Sequence, residues 1–152
     1  MVESSLLALT KQVKKLGNAS SLHSAGRSVR KDLEAARGEL AAAAGCAPSE
    51  IIFTSTGTEA NNLAIKGLFW NGAKDNKKVI ITSTFEHHAV MDPIVWLAEH
   101  EDAQVVGINV DRKGFIDLAE LEEAVEKHKG SIALISIMHS NNEVGTFKIL
   151  PR

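Results

Sequence analysis

Tyrosine is absent from this 152-residue chain, and five phenylalanines and two tryptophans are all its aromatic surface. So sparse a set offers little platform for stacking nucleic-acid bases. Charge of one sign is missing as well. Seventeen Lys and Arg against nineteen Asp and Glu leave a formal net charge of −2, with both signs mixed along the chain. No nucleic-acid partner and no polybasic membrane patch are therefore expected. Near the N-terminus the one unbroken apolar run is Leu6-Leu7-Ala8-Leu9, too short for a signal-peptide core or a membrane span. The lone cysteine, Cys46, cannot close an internal disulfide. A reducing, cytoplasmic setting is the expectation.

What remains is an ordinary globular composition, 44% hydrophobic and 24% charged, with enough length for about one domain. Leu6, Leu9, Val13 and Leu16 recur at helical spacing, and Gly17-Asn18 can close that helix. A second helix is predicted from about Gly26 to Ala44, with Val29, Leu33, Ala36 and Leu40 on one face and Gly45 as its stop. Predicted strands at 51–55, 79–82, 105–110 and 132–138 then alternate with helices from Thr58 to near Gly72, up to about His100, and up to about Lys129. Pro93 is placed in the first turn of the second of these, and Asp117 with Glu120 forms a capping box for the last, with Leu118, Leu121 and Val125 inward. The apolar run from Ile132 to Met138 suits a strand buried on both faces. This alternation predicts an α/β fold with a mostly parallel sheet and flanking helices.

The chain is organised around Phe53-Thr54-Ser55-Thr56-Gly57-Thr58-Glu59-Ala60-Asn61-Asn62, which reads as strand, tight turn and helix start. Gly57 lets a ligand approach the backbone closely, Thr58 is a good N-cap, and the free N–H groups of a first helical turn suit a phosphate. Two further polar clusters, 83–88 and 139–143, also follow predicted strands. In open α/β sheets the ligand lies outside the carboxyl ends of the strands. Three clusters meeting at that edge mark the candidate site.

Four segments then carry a resemblance. Asn18-Ala19-Ser20-Ser21-Leu22-His23-Ser24-Ala25-Gly26-Arg27 resembles the Asn-x-Ser-Ser-x-His-x-x-Gly-Arg segment of cysteine desulfurases. Ile51 to Asn62 is similar to their Ile-Phe-Thr-Ser-Gly-x-Thr-Glu-x-Asn-Asn turn, and Glu86-His87 and Asn141-Asn142-Glu143-x-Gly145 to their next two active-site segments. Order and spacing match from about residue 18 onward. On this pattern the chain is identified as a member of the cysteine desulfurases, in the class-V aminotransferase-like group of fold type I pyridoxal-phosphate (PLP) proteins. The helical spacing marks an N-terminal helix over 1–17, and the resemblance implies that 18–152 is part of the PLP-binding large domain. It also implies conversion of L-cysteine to L-alanine with sulfur passed to an enzyme cysteine, a homodimer, and a sulfur-acceptor protein of the kind used in iron–sulfur cluster assembly. Gly57 and Thr58 would hold the cofactor phosphate. His87 would stack on the pyridine ring and shuttle protons, Asn142 would bond the phenolic oxygen, and His23 is a substrate-site candidate. One departure stands out: Thr56 occupies a position where the family usually has Gly, which would stiffen the turn.

The resemblance places the Schiff-base lysine, the acid facing the pyridinium nitrogen and the sulfur-accepting cysteine in later sequence. Lys66, Lys77, Lys78 and Lys148 match none of the family's lysine context, and Cys46 lies before the first strand, the wrong end for the site. The strand at 51–55 would lack its neighbours, since the family encodes them later. The chain is therefore expected to be a truncated large-domain piece that does not complete the catalytic site alone. Alternatives are a selenocysteine lyase or small-amino-acid transaminase of the same group, and a non-catalytic module or relic that pairs with a full-length relative. No metal is expected. His87 and His88 are adjacent on an extended segment and point apart, and there is no His-Glu-x-x-His helix. His88, His100 and His128 read as solvent-facing, and Glu59 and Glu143 as structural hydrogen-bonders. A serine hydrolase lacks its Gly-x-Ser-x-Gly elbow.

Overall fold

The computed structural model of the protein describes residues 2–141 and 145. Two compact units divide the chain, one ending at Phe53 and the other starting at Thr54.

In the first unit, α1 (Glu3–Val13) and α2 (Ser24–Ala44) precede a short 3-10 turn at Pro48–Glu50. The leucine spacing of α1 does produce a helix, but one that stops at Val13. Leu16 lies beyond it, 89% exposed, and no residue of α1 is buried. In α2 only Gly26 and Ala41 are buried, while Ala36 and Leu40 are exposed rather than inward. Lys15 meets Asp32, and that hydrogen bond holds the Asp32 carboxyl below its usual range. Gly45 ends α2 in the left-handed region (φ 70°), where the N–H groups of Gly45 and Cys46 return to the Ala42 and Ala41 carbonyls. Only glycine enters that conformation without a steric cost. Cys46 is left half-buried behind the helix end, as a small structural thiol.

The second unit is a three-layer α/β/α arrangement. Its elements are α3 (Gly57–Ala73), β1 (Val79–Ser83), α4 (His88–His100), β2 (Gln104–Ile108), α5 (Leu118–Lys127) and β3 (Ile132–Ser136). The strands pair in parallel in the order β2-β1-β3. Side chains alternate across a strand, so β1 feeds two cores. Ile80 meets Ile65 and Phe69 of α3 and Val90, Ile94 and Leu97 of α4. Val79 and Ile81, on the other face, meet Ile108 and Ala124 of α5. Close approach matters at Gly72, where an added Cβ would lie 3.1 Å from Ala133.

Several sequence expectations need correction. Residues 51–54 take no strand ladder among the described residues, and Ile52 and Phe53 are exposed. An extended segment with no neighbouring strand has nothing to bond its backbone groups to. Burial on both faces belongs to β1, the central strand; β3 is an edge strand with Ile135 47% exposed. Pro93 is buried in the second turn of α4, not its first. Asp117 does cap α5 through the N–H groups of Ala119 and Glu120, but Glu120 reaches to Asn109 rather than back to Asp117. Leu118 is exposed, and Ala124 takes the inward place.

Candidate active site

Parallel strands put all their carboxyl ends at one edge, and the polar clusters collect there. At the end of β1, Ser83 is fully buried and its Oγ donates to Glu86 Oε1 at 2.5 Å. The same oxygen accepts the N–H of Met138, beyond β3, at 2.7 Å. Thr84 N–H in turn donates to the Ile108 carbonyl at the end of β2 (2.9 Å). One turn, 84–87, is thus tied to the ends of both neighbouring strands. Asn141 is buried close by in sequence, while Asn142 and Glu143 lie outside the described residues.

His87 follows Glu86 on extended backbone (φ −67°, ψ 148°) and is the N-cap of α4. Its Nδ1 accepts the Ala89 N–H at 3.0 Å. A nitrogen that accepts carries no proton, so the neutral ring is the Nε2–H tautomer, with Nε2 left for solvent or a ligand. The ring is exposed. His88 is not on the extended segment but opens α4, and its ring stands edge-on to that of His87, with centres 6.5 Å apart, while its Nδ1 lies 3.6 Å from Asp92; His100 lies flat on Trp96, with ring centres 4.8 Å apart.

The phosphate-type turn is built differently from the sequence reading. Thr56, not Thr58, is the N-cap of α3, its hydroxyl accepting the Glu59 N–H at 3.1 Å. The Thr-x-x-Glu spacing of residues 56–59 is the capping-box signal that identifies it. Glu59 curls back to take the N–H (2.8 Å) and hydroxyl (2.5 Å) of Ser55. These bonds, the hydroxyl's first, hold its carboxyl below the usual Glu range. Glu59 is thus a structural hydrogen-bonder, and its charge is committed behind the turn. The N–H groups of Gly57 and Thr58 have no acceptor among the described residues. A Cβ built on Gly57 would meet nothing within 4 Å. Two donors without an acceptor among the described residues, at the positive end of a 17-residue helix, suit a dianion.

A cleft of about 520 Å³ runs between α3 and α4, lined by Thr56, Thr58, Glu59 and Lys66 on one side and His88, Asp92 and Trp96 on the other. It brings the first turns of both helices together, yet neither Gly57 nor His87 lines it. The cleft supplies shape, whereas the chemistry of phosphate and ring binding lies with the N–H donors and the imidazole outside its lining. Lys66 sits over the Trp96 ring at 3.9 Å. Lys77 and Lys78 precede β1, with Lys78 3.7 Å from Asp102 before β2. That is the amino end of the sheet, away from the polar clusters. In the first unit His23 caps α2, its Nδ1 accepting the Gly26 N–H at 3.2 Å.

Comparison with known proteins converges on one family. The family profile described as Aminotransferase class-V matches residues 4–152. The chain is 47% identical over 138 residues to the IscS-like cysteine desulfurase of Mycobacterium tuberculosis, covering 90% of this chain and 34% of that protein. It is also 47% identical over 134 residues to the cysteine desulfurase IscS of Dictyoglomus turgidum, covering 88% of this chain and 33% of the relative. Among solved structures, a NifS-like protein superposes with a TM-score of 0.85 at 36% identity, over 97% of this chain and 40% of its own. The chain thus spans about a third of the length of the curated relatives it matches.

Proposed function

Because this chain belongs to the class-V aminotransferase family, we propose that it supplies the phosphate-binding part of a PLP-dependent cysteine desulfurase site. Such an enzyme would take sulfur from L-cysteine onto an enzyme cysteine and leave L-alanine. The observation that carries this reading is the α3 N-terminus, where the N–H groups of Gly57 and Thr58 have no acceptor among the described residues and a Cβ on Gly57 would meet nothing within 4 Å, at the turn that resembles the family's segment. Two N–H donors and a helix dipole favour the phosphate dianion over its hydrated state.

Bound there, PLP would supply an electron sink for breaking bonds at the amino-acid α-carbon. The chain's own residues would do the rest. His87, with Nδ1 occupied by Ala89, would lay its flat ring against the cofactor and hold a proton at Nε2. Asn142 would donate its amide to the phenolic oxygen. His23 would serve the substrate. The lysine that holds the cofactor would be none of Lys66, Lys77 or Lys78, given their places on α3 and at the amino end of the sheet. We therefore also propose that residues 1–152 do not complete the site by themselves. A second copy, as in a homodimer, and a sulfur-acceptor protein are the partners this reading calls for, in the cytoplasm.

Two preparations test it. With PLP, L-cysteine and dithiothreitol, which reduces a persulfide to sulfide, the chain alone should release no sulfide at an enzymatic rate; rapid release would overturn the claim of incompleteness. In the same mixture, a chimera in which this chain replaces the matching third of the Mycobacterium relative should release sulfide and alanine in equal amounts, with dithiothreitol oxidised to its disulfide. A folded, PLP-loaded chimera that yields neither would overturn the desulfurase reading.

A further inference from the structure

We propose that Glu86 is the positioning residue for His87. The role of His87 rests on the functional reading above; the mechanical link does not. Glu86 immediately precedes His87, whose backbone is extended, and the two side chains meet different partners. Glu86 turns inward, and its Oε1 takes both the Ser83 hydroxyl (2.5 Å) and the Met138 N–H (2.7 Å). His87 turns outward and is exposed. Both distances lie at the short end of the range for their donor types.

The geometry makes Glu86 a rivet between two strand ends. Ser83 is the last residue of β1, and Met138 lies two residues past the end of β3, 52 positions from Glu86 in sequence. The rivet fixes the peptide that leads into His87. The His87 ring then needs only one further restraint, the Ala89 N–H on Nδ1, to be fully oriented. Backbone anchored from behind and ring anchored from one side leave Nε2 as the nitrogen on offer. Without the rivet, the 84–87 turn keeps its Thr84 bond to Ile108 but loses its tie to β3. The His87 cap would then form only part of the time, and the ring would sample both tautomers. A glutamine at position 86 keeps an acceptor oxygen in place, whereas alanine removes it.

The test needs no cofactor, so it stands or falls apart from PLP binding. Nitrogen-15 spectra of the whole chain, recorded in alkaline buffer where imidazole is neutral, distinguish the two tautomers. The His87 resonances are assigned by their loss in His87→Gln. The wild-type chain is expected to show His87 as the single Nε2–H form. Glu86→Ala is expected to lose that single pattern while His88 is unchanged, and Glu86→Gln to restore it. A purely structural glutamate would move stability and leave the tautomer alone. If Glu86→Ala unfolds the chain, Glu86→Asp, too short to reach both donors, is measured in the same way. A His87 signal that is mixed in the wild type, or unchanged in a folded Ala or Asp variant, would overturn the proposal.

Discussion

Thr56 stands where the resemblance to cysteine desulfurases implies glycine, and its side chain has a measurable part in the turn. Its hydroxyl accepts one N–H, that of Glu59, at 3.1 Å in an exposed turn. Replacing an N-cap threonine by alanine costs about 1 kcal/mol, within a range of 0.5–2, whereas glycine costs a few tenths. The turn keeps the two bonds from Ser55 to Glu59 in either variant, so Thr56→Ala belongs near the middle or low end of that range. Urea unfolding followed by tryptophan fluorescence suits the test, because Trp70 lies on α3 and Trp96 on the packed α4. Thr56→Ala is expected to lose about 1 kcal/mol and Thr56→Gly less than about half of that. The N–H groups of Gly57 and Thr58 take no part in the cap, so neither variant should weaken binding of a phosphate there. Equal destabilisation by Ala and Gly would refute the capping role. Loss of phosphate binding in Thr56→Gly would refute the separation of cap from ligand donors.

The hydroxyl of Thr82 is buried in β1 and has no hydrogen-bond partner among the described residues. An unmet buried hydroxyl costs about 1–3 kcal/mol, so Thr82→Val is expected to raise the urea midpoint; a lower midpoint would mean that the hydroxyl has an acceptor. Acid titration tests the Ser55–Glu59 bonds. The folded carboxyl holds its proton less tightly than the unfolded one, so its stabilisation is present above the usual Glu range and is lost as pH falls through the lowered folded value. Glu59→Gln should flatten that acid limb of the stability curve; an unchanged limb would assign the acid sensitivity elsewhere.

Much of the second unit was legible because its elements carry strong local signals. The alternation of β-branched runs with helical spacing predicts β1, β2, β3 and the helices between them, and the 83–88 cluster reaches the chain beyond β3 through Glu86 and the Met138 N–H. The misses share a cause: local pattern does not say what lies opposite. Residues 51–54 have strand chemistry and no ladder, and β3 looks doubly buried by composition yet stands at the edge. Leu6, Leu9 and Val13 have the period of a core-facing helix and remain exposed. In the candidate site, Thr56 was overlooked in favour of Thr58 although the Thr-x-x-Glu spacing marks it. Glu86 could not be assigned from sequence, because its partner Met138 is 52 positions away.

The central claim is that the α3 turn and His87 together hold PLP, and visible circular dichroism of the purified chain titrated with PLP tests it most directly. Free PLP is achiral, so a signal in its absorption band arises only from a fixed, asymmetric site. A saturable signal is expected, lost in His87→Ala and in Gly57→Pro, which removes a phosphate-facing N–H at a helix position that tolerates proline, while far-ultraviolet ellipticity is retained. A folded chain that gives no signal, or one whose signal survives both substitutions, would contradict it.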